Sequence, residues 1–398
     1  MAEYKLSREQ LLKDLYQAYF DARKHKRNKP YQLRFEANLE NNLQELCDEL
    51  FNRTYKARPS TCFIIRDPKK REVFAANFRD RIVHHLYYNY THEIYERTFI
   101  CDKYSCIKGR GTNYGINRLQ QHIRKESQNY KIPCYALKMD IRGYFMHINR
   151  EKLLQICFTT LEKMASHKVS KYLPYKWIEI VDLDFVKYLT QEIVLLNPLE
   201  NCIIEGCVED WRDLPHDKSL FNSPAGCGLP IGNLTSQLFS NIYLNILDQY
   251  VKRELKAKHY GRYVDDFYIV SSDKTKLLEY ANKIKTMLLQ ELNLKFHDGK
   301  MKIISIRQGV EFLGAFIKPY RIYASRQTIS RIRKKLPLLQ GQPLTKIVSS
   351  LNSYCGVLSH GKNYKLRKYL FVNDYNFSEK IIFDSNLLKV LVVHSGCP

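Results

Sequence analysis

Three aspartates have the type and setting to do metal chemistry: Asp140, and the adjacent pair Asp265 and Asp266. Carboxylates are hard oxygen donors that suit Mg²⁺, which keeps several waters and takes one or two protein carboxylates alongside substrate phosphates. Two such ions, roughly 3.5 to 4 Å apart, activate a hydroxyl nucleophile and stabilise a departing pyrophosphate. An Asp-Asp pair also serves an ordinary turn, where aspartate is favoured for its local hydrogen bonds. Asp140 and Asp265 stand 125 positions apart. They form one site only if the fold makes their elements neighbours, and periodicity does not decide that.

The elements that must position them are legible. Tyr260-Gly261-Arg262-Tyr263-Val264 and Phe267-Tyr268-Ile269-Val270 are β-prone runs on either side of the pair. They predict a hairpin with Asp265 and Asp266 at or near its turn. Tyr135-Ala136-Leu137-Lys138-Met139-Asp140-Ile141 predicts a strand of period 2. Tyr135, Leu137, Met139 and Ile141 face the core, and Ala136, Lys138 and Asp140 face the other way. Arg142-Gly143-Tyr144-Phe145 then turns the chain into a helix. Upstream of the hairpin, the Gly228-Leu229-Pro230-Ile231-Gly232 loop leads into one long amphipathic helix carrying Leu234, Leu238, Ile242, Ile246 and Tyr250, with Asn233 as its cap.

The remaining segments supply scaffolding and positive charge. Ser7-Arg8-Glu9-Gln10 has the form of a capping box and opens a first helix. A second helix carries Phe35, Leu39, Leu43, Leu46 and Leu50. Residues 62–65 and 71–75 predict a hairpin whose tip presents Lys69, Lys70 and Arg71, donors suited to phosphate oxygens. A helix begins near Asp80; its His84 and His85 point to different faces and share no metal. Lys108-Gly109-Arg110-Gly111 is a basic glycine loop without the spacing of a nucleotide P-loop, and it would bring Arg110 close to a polynucleotide. Residues 150–225 read as helices and irregular connections with no catalytic constellation. Residues 302–304 and 310–317 predict one strand each. The tail from Ser325 is helical, with Arg331, Lys334 and Lys335 on one face, where they would track a duplex backbone, and Ile329, Ile332 and Leu336 on another.

Composition agrees with a nucleic-acid partner. The 398 residues hold 64 Lys plus Arg against 41 Asp plus Glu, a net charge of +23. So large an excess favours a polyanion, nucleic acid first and an anionic membrane surface second. No run of 18 apolar residues occurs, which argues against a membrane span, and the first residues lack a signal pattern. Eleven cysteines, an odd number without C-x-x-C pairs, argue against a zinc ribbon and a disulfide framework. Cys101, Cys106, Cys202 and Cys207 read as buried thiols, and the expected setting is a reduced, cytoplasmic one.

Taken in order, these motifs resemble those of reverse transcriptases: Lys138-Met139-Asp140-Ile141 with Tyr144-Phe145, Gly228 to Gln237, Tyr263-Val264-Asp265-Asp266, Lys300-Met301-Lys302-Ile303 and Phe312-Leu313-Gly314. Arg71-Glu72-Val73, Asp80-Arg81-Ile82-Val83 and Gly109-Arg110-Gly111 match more loosely. Most of that family carries Gln-Gly-x-x-x-Ser-Pro where this chain has Ile231-Gly232-Asn233-Leu234-Thr235-Ser236-Gln237. The aliphatic residue before the glycine, the Ser-Gln ending, and Lys218-Ser219-Leu220-Phe221 are similar to the polymerases of diversity-generating retroelements. Such enzymes, of bacterial, archaeal or phage origin, copy a template-repeat RNA into cDNA with errors at adenines.

The resemblance implies an α+β right-hand polymerase. Residues 1–57 would be a helical extension, 58–134 fingers, 135–149 and 230–318 a palm of antiparallel sheet with helices, 150–229 fingers or connection, 319–385 a short helical thumb and 386–398 a tail. It implies two Mg²⁺, with Mn²⁺ a substitute, held by Asp140, Asp265, Asp266 and the Ile141 carbonyl. Lys300 would be a general acid near the pyrophosphate. Lys69 and Arg71 would hold the triphosphate, Phe145 would exclude a 2′-OH, and Ile231 with Gly232 would line the nucleotide site. Ile231 offers no polar discrimination of a correct pair. Phe312, Leu313 and Gly314 would support the primer end. The partners implied are template RNA, the RNA–DNA hybrid, dNTPs and a small basic accessory protein. The alternatives are a group II intron-like or retron reverse transcriptase, an RNA-dependent RNA polymerase, and a non-catalytic nucleic-acid-binding protein. The last accounts for the charge but not for the aspartates.

Overall fold

The computed structural model describes residues 4–24, 26–67, 69–168, 175–297, 299, 301–373 and 381–392. Its strands, in chain order, are β1 (Ser60–Ile65), β2 (Arg71–Ala75), β3 (Tyr135–Met139), β4 (Cys202–Ile204), β5 (His259–Tyr263), β6 (Asp266–Ser271), β7 (Lys302–Ser305), β8 (Val310–Phe312), β9 (Ala315–Lys318), β10 (Arg321–Ala324), β11 (Ile381–Phe383) and β12 (Val390–Val392). The chain divides into two compact units: Met1–Ile107, Asp140–Lys256 and Asn282–Gly299 form one, and Lys108–Met139, Ala257–Ala281 and Lys300–Pro398 the other. Helices are interleaved along the chain with mainly antiparallel sheets, which gives the α+β class expected from the sequence. No helix among the described residues is long and apolar enough to cross a membrane.

The first unit is mostly helical. Ser7 caps the helix Arg8–Arg23 by accepting from the Gln10 N–H at 3.2 Å. The Gln10 side chain bonds Asp14, so only half of the capping box forms. The expected second helix is two helices, Pro30–Glu36 and Leu39–Phe51. Asn42 caps the end of the first of them by donating to the Phe35 carbonyl. The helix Phe78–Glu96 buries Ile82, Val83, Leu86, Tyr87, Ile94 and Tyr95 and packs against the helix Leu234–Tyr243. That second helix does not continue unbroken to Tyr250 as expected: the chain re-forms as Asn245–Gln249 and then a π-turn, Tyr250–Glu254. The Ser240 and Asn241 side chains both donate to the Gln237 carbonyl near the break, the local competition that bends helices. Asn233 does not cap it either; its Oδ1 accepts from the Ala76 N–H at 3.2 Å.

β1 and β2 form the expected hairpin, with Phe63 opposite Val73. β4, three residues long, joins it in parallel on the other side of β1. The supposed buried thiols are mostly surface groups: Cys101, Cys106 and Cys207 are exposed and Cys202 is half-buried. Cys101, Cys106 and Cys207 lie in turns or loops, and the Cys106 thiol donates to Gln237 Oε1 at 3.3 Å.

The second unit is built on a four-stranded antiparallel sheet in the order β5-β6-β3-β7. Of its two inner strands, β3 is buried on both faces, since Ala136 and Leu137 are fully covered. The helix Thr112–Glu126 packs beside β5 and β6, where His122 Nδ1 lies 3.0 Å from the Tyr268 hydroxyl. The single strand expected over 310–317 is a hairpin, β8 and β9, extended by β10. Leu313 (φ 49°) and Gly314 (φ 82°) make its two-residue turn, a geometry that needs positive φ at both positions. The C-terminal helices Arg326–Lys335 and Leu344–Leu358 close over a core of Ile332, Leu336, Ile347, Leu351 and Leu358. Val390 of the β11–β12 hairpin joins that core.

Candidate active site

The turn that carries the aspartate pair is strained. Tyr263 pairs with Asp266, so Val264 and Asp265 form a two-residue loop. Val264 has φ 57°, a left-handed conformation costly for a β-branched residue. Arg262, fully buried, holds it there by donating from Nη1 to the Val264 carbonyl at 2.8 Å. Asp265 and Asp266 remain half-buried at the end of the sheet.

β3 brings its own end to the same edge. Met139 is opposite Phe267, the residue after Asp266, and Asp140 is bonded to Met139. The strand stops there, short of the expected Ile141. The backbone of residues 140–142 pairs instead with residues 295–297: His297 N–H donates to the Asp140 carbonyl at 3.2 Å, Ile141 bridges Phe296, and Arg142 N–H donates to the Lys295 carbonyl at 3.0 Å. Asp140 is half-buried and Ile141 buried.

Lys138 is the cation that sequence reasoning left without a role. Its Nζ lies 3.4 Å from Asp266 Oδ1, donates to the Glu311 carbonyl at 2.9 Å and sits 5.5 Å above the Phe312 ring. Phe312, fully buried, meets Tyr268 edge-on. The signal was present, because period 2 puts Lys138 on the face of Asp140. Among the described residues no three His, Cys, Asp or Glu side chains converge as a metal cluster. The donors at the hairpin are carboxylates only, which fits an ion that draws its other ligands from phosphates and water rather than from a closed protein cage.

The residues expected at the nucleotide are gathered in the first unit. Phe145 and Ile231 pack on one apolar cluster with Cys62, Phe74, Met146 and Leu220. The Ile231 carbonyl accepts from the Phe74 N–H of β2 at 2.8 Å. Gly232 (φ 132°) lies so close to β2 that a Cβ there would fall 2.8 Å from the Phe74 carbonyl oxygen. Arg71 is the exposed first residue of that strand, and Lys69 is exposed in the preceding turn. Arg110 is half-buried, its guanidinium 5.7 Å from the Tyr114 ring.

Leu313 and Gly314 form the β8–β9 turn, and the Gly314 carbonyl accepts from Ser325 N–H at 2.9 Å and Thr328 Oγ1 at 3.0 Å. On the helix Arg326–Lys335, Lys334 is exposed and Arg331 and Lys335 are half-buried. Lys300 lies outside the described residues. Arg262 and Glu72 stand in sequence runs that were singled out but carried no role of their own; a charged residue inside a β-prone run was the available hint for the first.

Residues 68–317 match the family described as Reverse transcriptase (RNA-dependent DNA polymerase). The COX1/OXI3 intron 2 protein of Saccharomyces cerevisiae is 29% identical over 117 residues, 27% of this chain and 14% of that protein. A structure of apo telomerase from Candida tropicalis, truncated of its C-terminal domain, aligns with a TM-score of 0.47 at 12% identity, over 67% of this chain and 55% of that one. Telomerase from Candida albicans in complex with a fragment of telomeric RNA aligns with a TM-score of 0.45 at 10% identity, over 82% and 58%. The chain thus spans a small part of the intron protein and a little over half of each telomerase chain.

Proposed function

The chain belongs to the reverse transcriptase (RNA-dependent DNA polymerase) family, and from that premise we propose that it copies an RNA template into DNA by metal-assisted nucleotidyl transfer. The observation that carries this reading is the register of the four-stranded sheet. Met139 opposes Phe267, so the chain enters Asp140 from one strand at the edge where Asp266 opens the other. Asp140, Asp265 and Asp266 would hold the ions, with the Ile141 carbonyl assisting. When bound, Mg²⁺ would lower the pKa of the primer 3′-hydroxyl and stabilise the leaving pyrophosphate.

Lys69 and Arg71 bind the triphosphate as charge-assisted donors. Phe145 blocks a 2′-hydroxyl, which selects deoxynucleotides. Arg110, Arg331, Lys334 and Lys335 bind template and primer phosphates, and Phe312 to Gly314 support the primer end. On this reading residues 135–149 and 230–318 act as palm, 58–134 and 150–229 as fingers and 319–385 as thumb. Primer extension on an RNA template with Mg²⁺ and dNTPs tests it. Product from wild type and none from Asp265→Ala/Asp266→Ala supports the polymerase. Equal product from both, or none from wild type, favours a binding protein.

The finer reading is a polymerase of the diversity-generating retroelement type, with a template-repeat RNA and a small basic accessory protein as partners. Ile231 supports it. Its side chain packs on the apolar cluster and its carbonyl on β2, so nothing polar at this residue reads the base pair. The stretch shared with the yeast intron protein favours a second reading, a group II intron-like enzyme. Sequencing of cDNA made in vitro separates them: errors concentrated at template adenines support the retroelement type, and evenly spread errors support the other.

A further inference from the structure

Away from the aspartates, one buried carboxylate has an unusually full set of donors. Glu72 on β2 is 1% exposed. It accepts from Trp211 Nε1 at 2.7 Å, from Ser219 Oγ at 2.8 Å and from the Leu220 N–H at 2.6 Å. All three partners belong to residues 208–222, a run of short 3₁₀ turns with little regular structure of its own. Three donors and little water make a strong anchor, because charge-assisted bonds are worth about twice neutral ones.

The same segment grips the hairpin tip and the loop after Asp140. Asp210 pairs with Arg66 at 2.6 Å, and Lys70 donates to the Arg212 carbonyl. Arg142 Nε lies 3.4 Å from Asp217. A Cβ on Gly143 would come within 2.6 Å of the Asp217 carbonyl oxygen, so the loop approaches as closely as glycine permits. Leu220 and Trp211 supply part of the apolar cluster on which Phe145 and Ile231 rest.

β2 is therefore held from two sides. Glu72 and Phe74 are buried and alternate with Arg71 and Val73. Residues 208–222 bond Glu72 on one face, and Gly232 approaches the strand closely enough that a Cβ would meet Val73 Cγ1 at 2.9 Å.

We propose that residues 208–222 form a wall of the incoming nucleotide's pocket, and that Glu72 is the positioning residue that locks this wall onto β2. The proposal rests on the polymerase reading. Releasing the anchor lets β2 shift, and with it Arg71, the Ile231–Gly232 backbone and the support beneath Phe145. Glu72 touches no substrate. Its loss weakens nucleotide binding while leaving the metal carboxylates and the duplex contacts intact.

The test is steady-state dNTP incorporation on an RNA template with a DNA primer, together with the affinity for that duplex. Glu72→Gln should raise the dNTP KM about tenfold, about 1.4 kcal/mol, with kcat changed by less than about twofold and duplex affinity unchanged. Trp211→Phe and Ser219→Ala remove one donor each and should raise KM about threefold; they carry the test if Glu72→Gln does not fold. Adding Ser219→Ala to Glu72→Gln should add little, because the two disrupt one network. Unchanged KM in folded variants, or a fall in kcat matched by weaker duplex binding, overturns the proposal while leaving the polymerase reading in place. Absence of extension by wild type overturns both.

Discussion

Lys138→Met is the perturbation that most directly probes the charge balance around the aspartate hairpin. Lys138 Nζ lies 3.4 Å from Asp266 Oδ1, with 22% and 35% of the two side chains exposed. At an effective dielectric near 20 the gross attraction is about 5 kcal/mol. Partial exposure returns most of that as desolvation and screening, leaving about 1 kcal/mol net. The contact with the Phe312 ring adds roughly 0.5–1 kcal/mol. Methionine keeps the stem over the ring but removes the charge and the bond to the Glu311 carbonyl. Without added metal, the variant should be less stable by about 1–2 kcal/mol.

Mg²⁺ should act in the opposite direction. On the proposed reading Lys138 would compete with the ion for Asp266 and repel it, so Lys138→Met should lower the Mg²⁺ concentration at half-effect about fivefold, the equivalent of about 1 kcal/mol. Thermal unfolding across a Mg²⁺ series, without RNA or dNTP, reads both effects, and added NaCl should narrow the gap between the proteins. An unchanged Mg²⁺ midpoint, or a weaker one in the variant, would refute the reasoning.

Three further outcomes follow from the same geometry. His84 is buried 2.7 Å from Thr235 Oγ1, and burial pushes its pKa down to about 3; burial also lowers His85, to about 4. Unfolded histidines titrate near 6.5, so below about pH 6.5 the unfolded chain binds protons that the folded chain refuses. Stability should then fall with pH, at up to about 1.4 kcal/mol per unit for each histidine; urea midpoints at about pH 7 and pH 5 should show the slope, and a shallower one in His84→Gln. Gly232→Ala would place a Cβ 2.8 Å from the Phe74 carbonyl oxygen at φ 132°, and should cost about 2–3 kcal/mol and most dNTP incorporation, read by urea midpoint and primer extension. Ile231→Gln should lower misincorporation opposite template adenine without changing the unfolding free energy from urea melts by more than about 1 kcal/mol; an unaltered error spectrum would contradict the role given to Ile231.

How much of this was legible depended on how local each cause was. The β1–β2 and β5–β6 hairpins were readable because alternating side chains and turn residues are contiguous, within residues 60–75 and 259–271. The α+β class came from the ordered motifs that resemble those of reverse transcriptases, not from these patterns. The β8–β9 turn was missed because Leu313 adopts a conformation its type disfavours, beside a glycine that alone reads as a weak break. The helix after Asn233 looked continuous because hydrophobic spacing runs on through the break, while side-chain bonds to the Gln237 carbonyl leave no trace in that spacing.

Within the candidate site, residue types and order pointed to the aspartates, and Lys138 was hinted at by its face. Glu72 was invisible as a site residue because its partners are 139 to 148 positions away, in a segment whose short turns carry no periodic signal. β4 escaped for the same reason: a three-residue parallel strand is defined by its partner, not by its own sequence.

The central claim is that Asp140 acts with the aspartate pair 125 positions later. Asp140→Asn keeps the shape and removes the charge, and its effect on primer extension is the most direct test. With RNA template, DNA primer, dNTPs and Mg²⁺, the variant should bind the duplex as wild type does and extend it at least about a thousandfold more slowly. Extension within a few-fold of wild type would contradict the account.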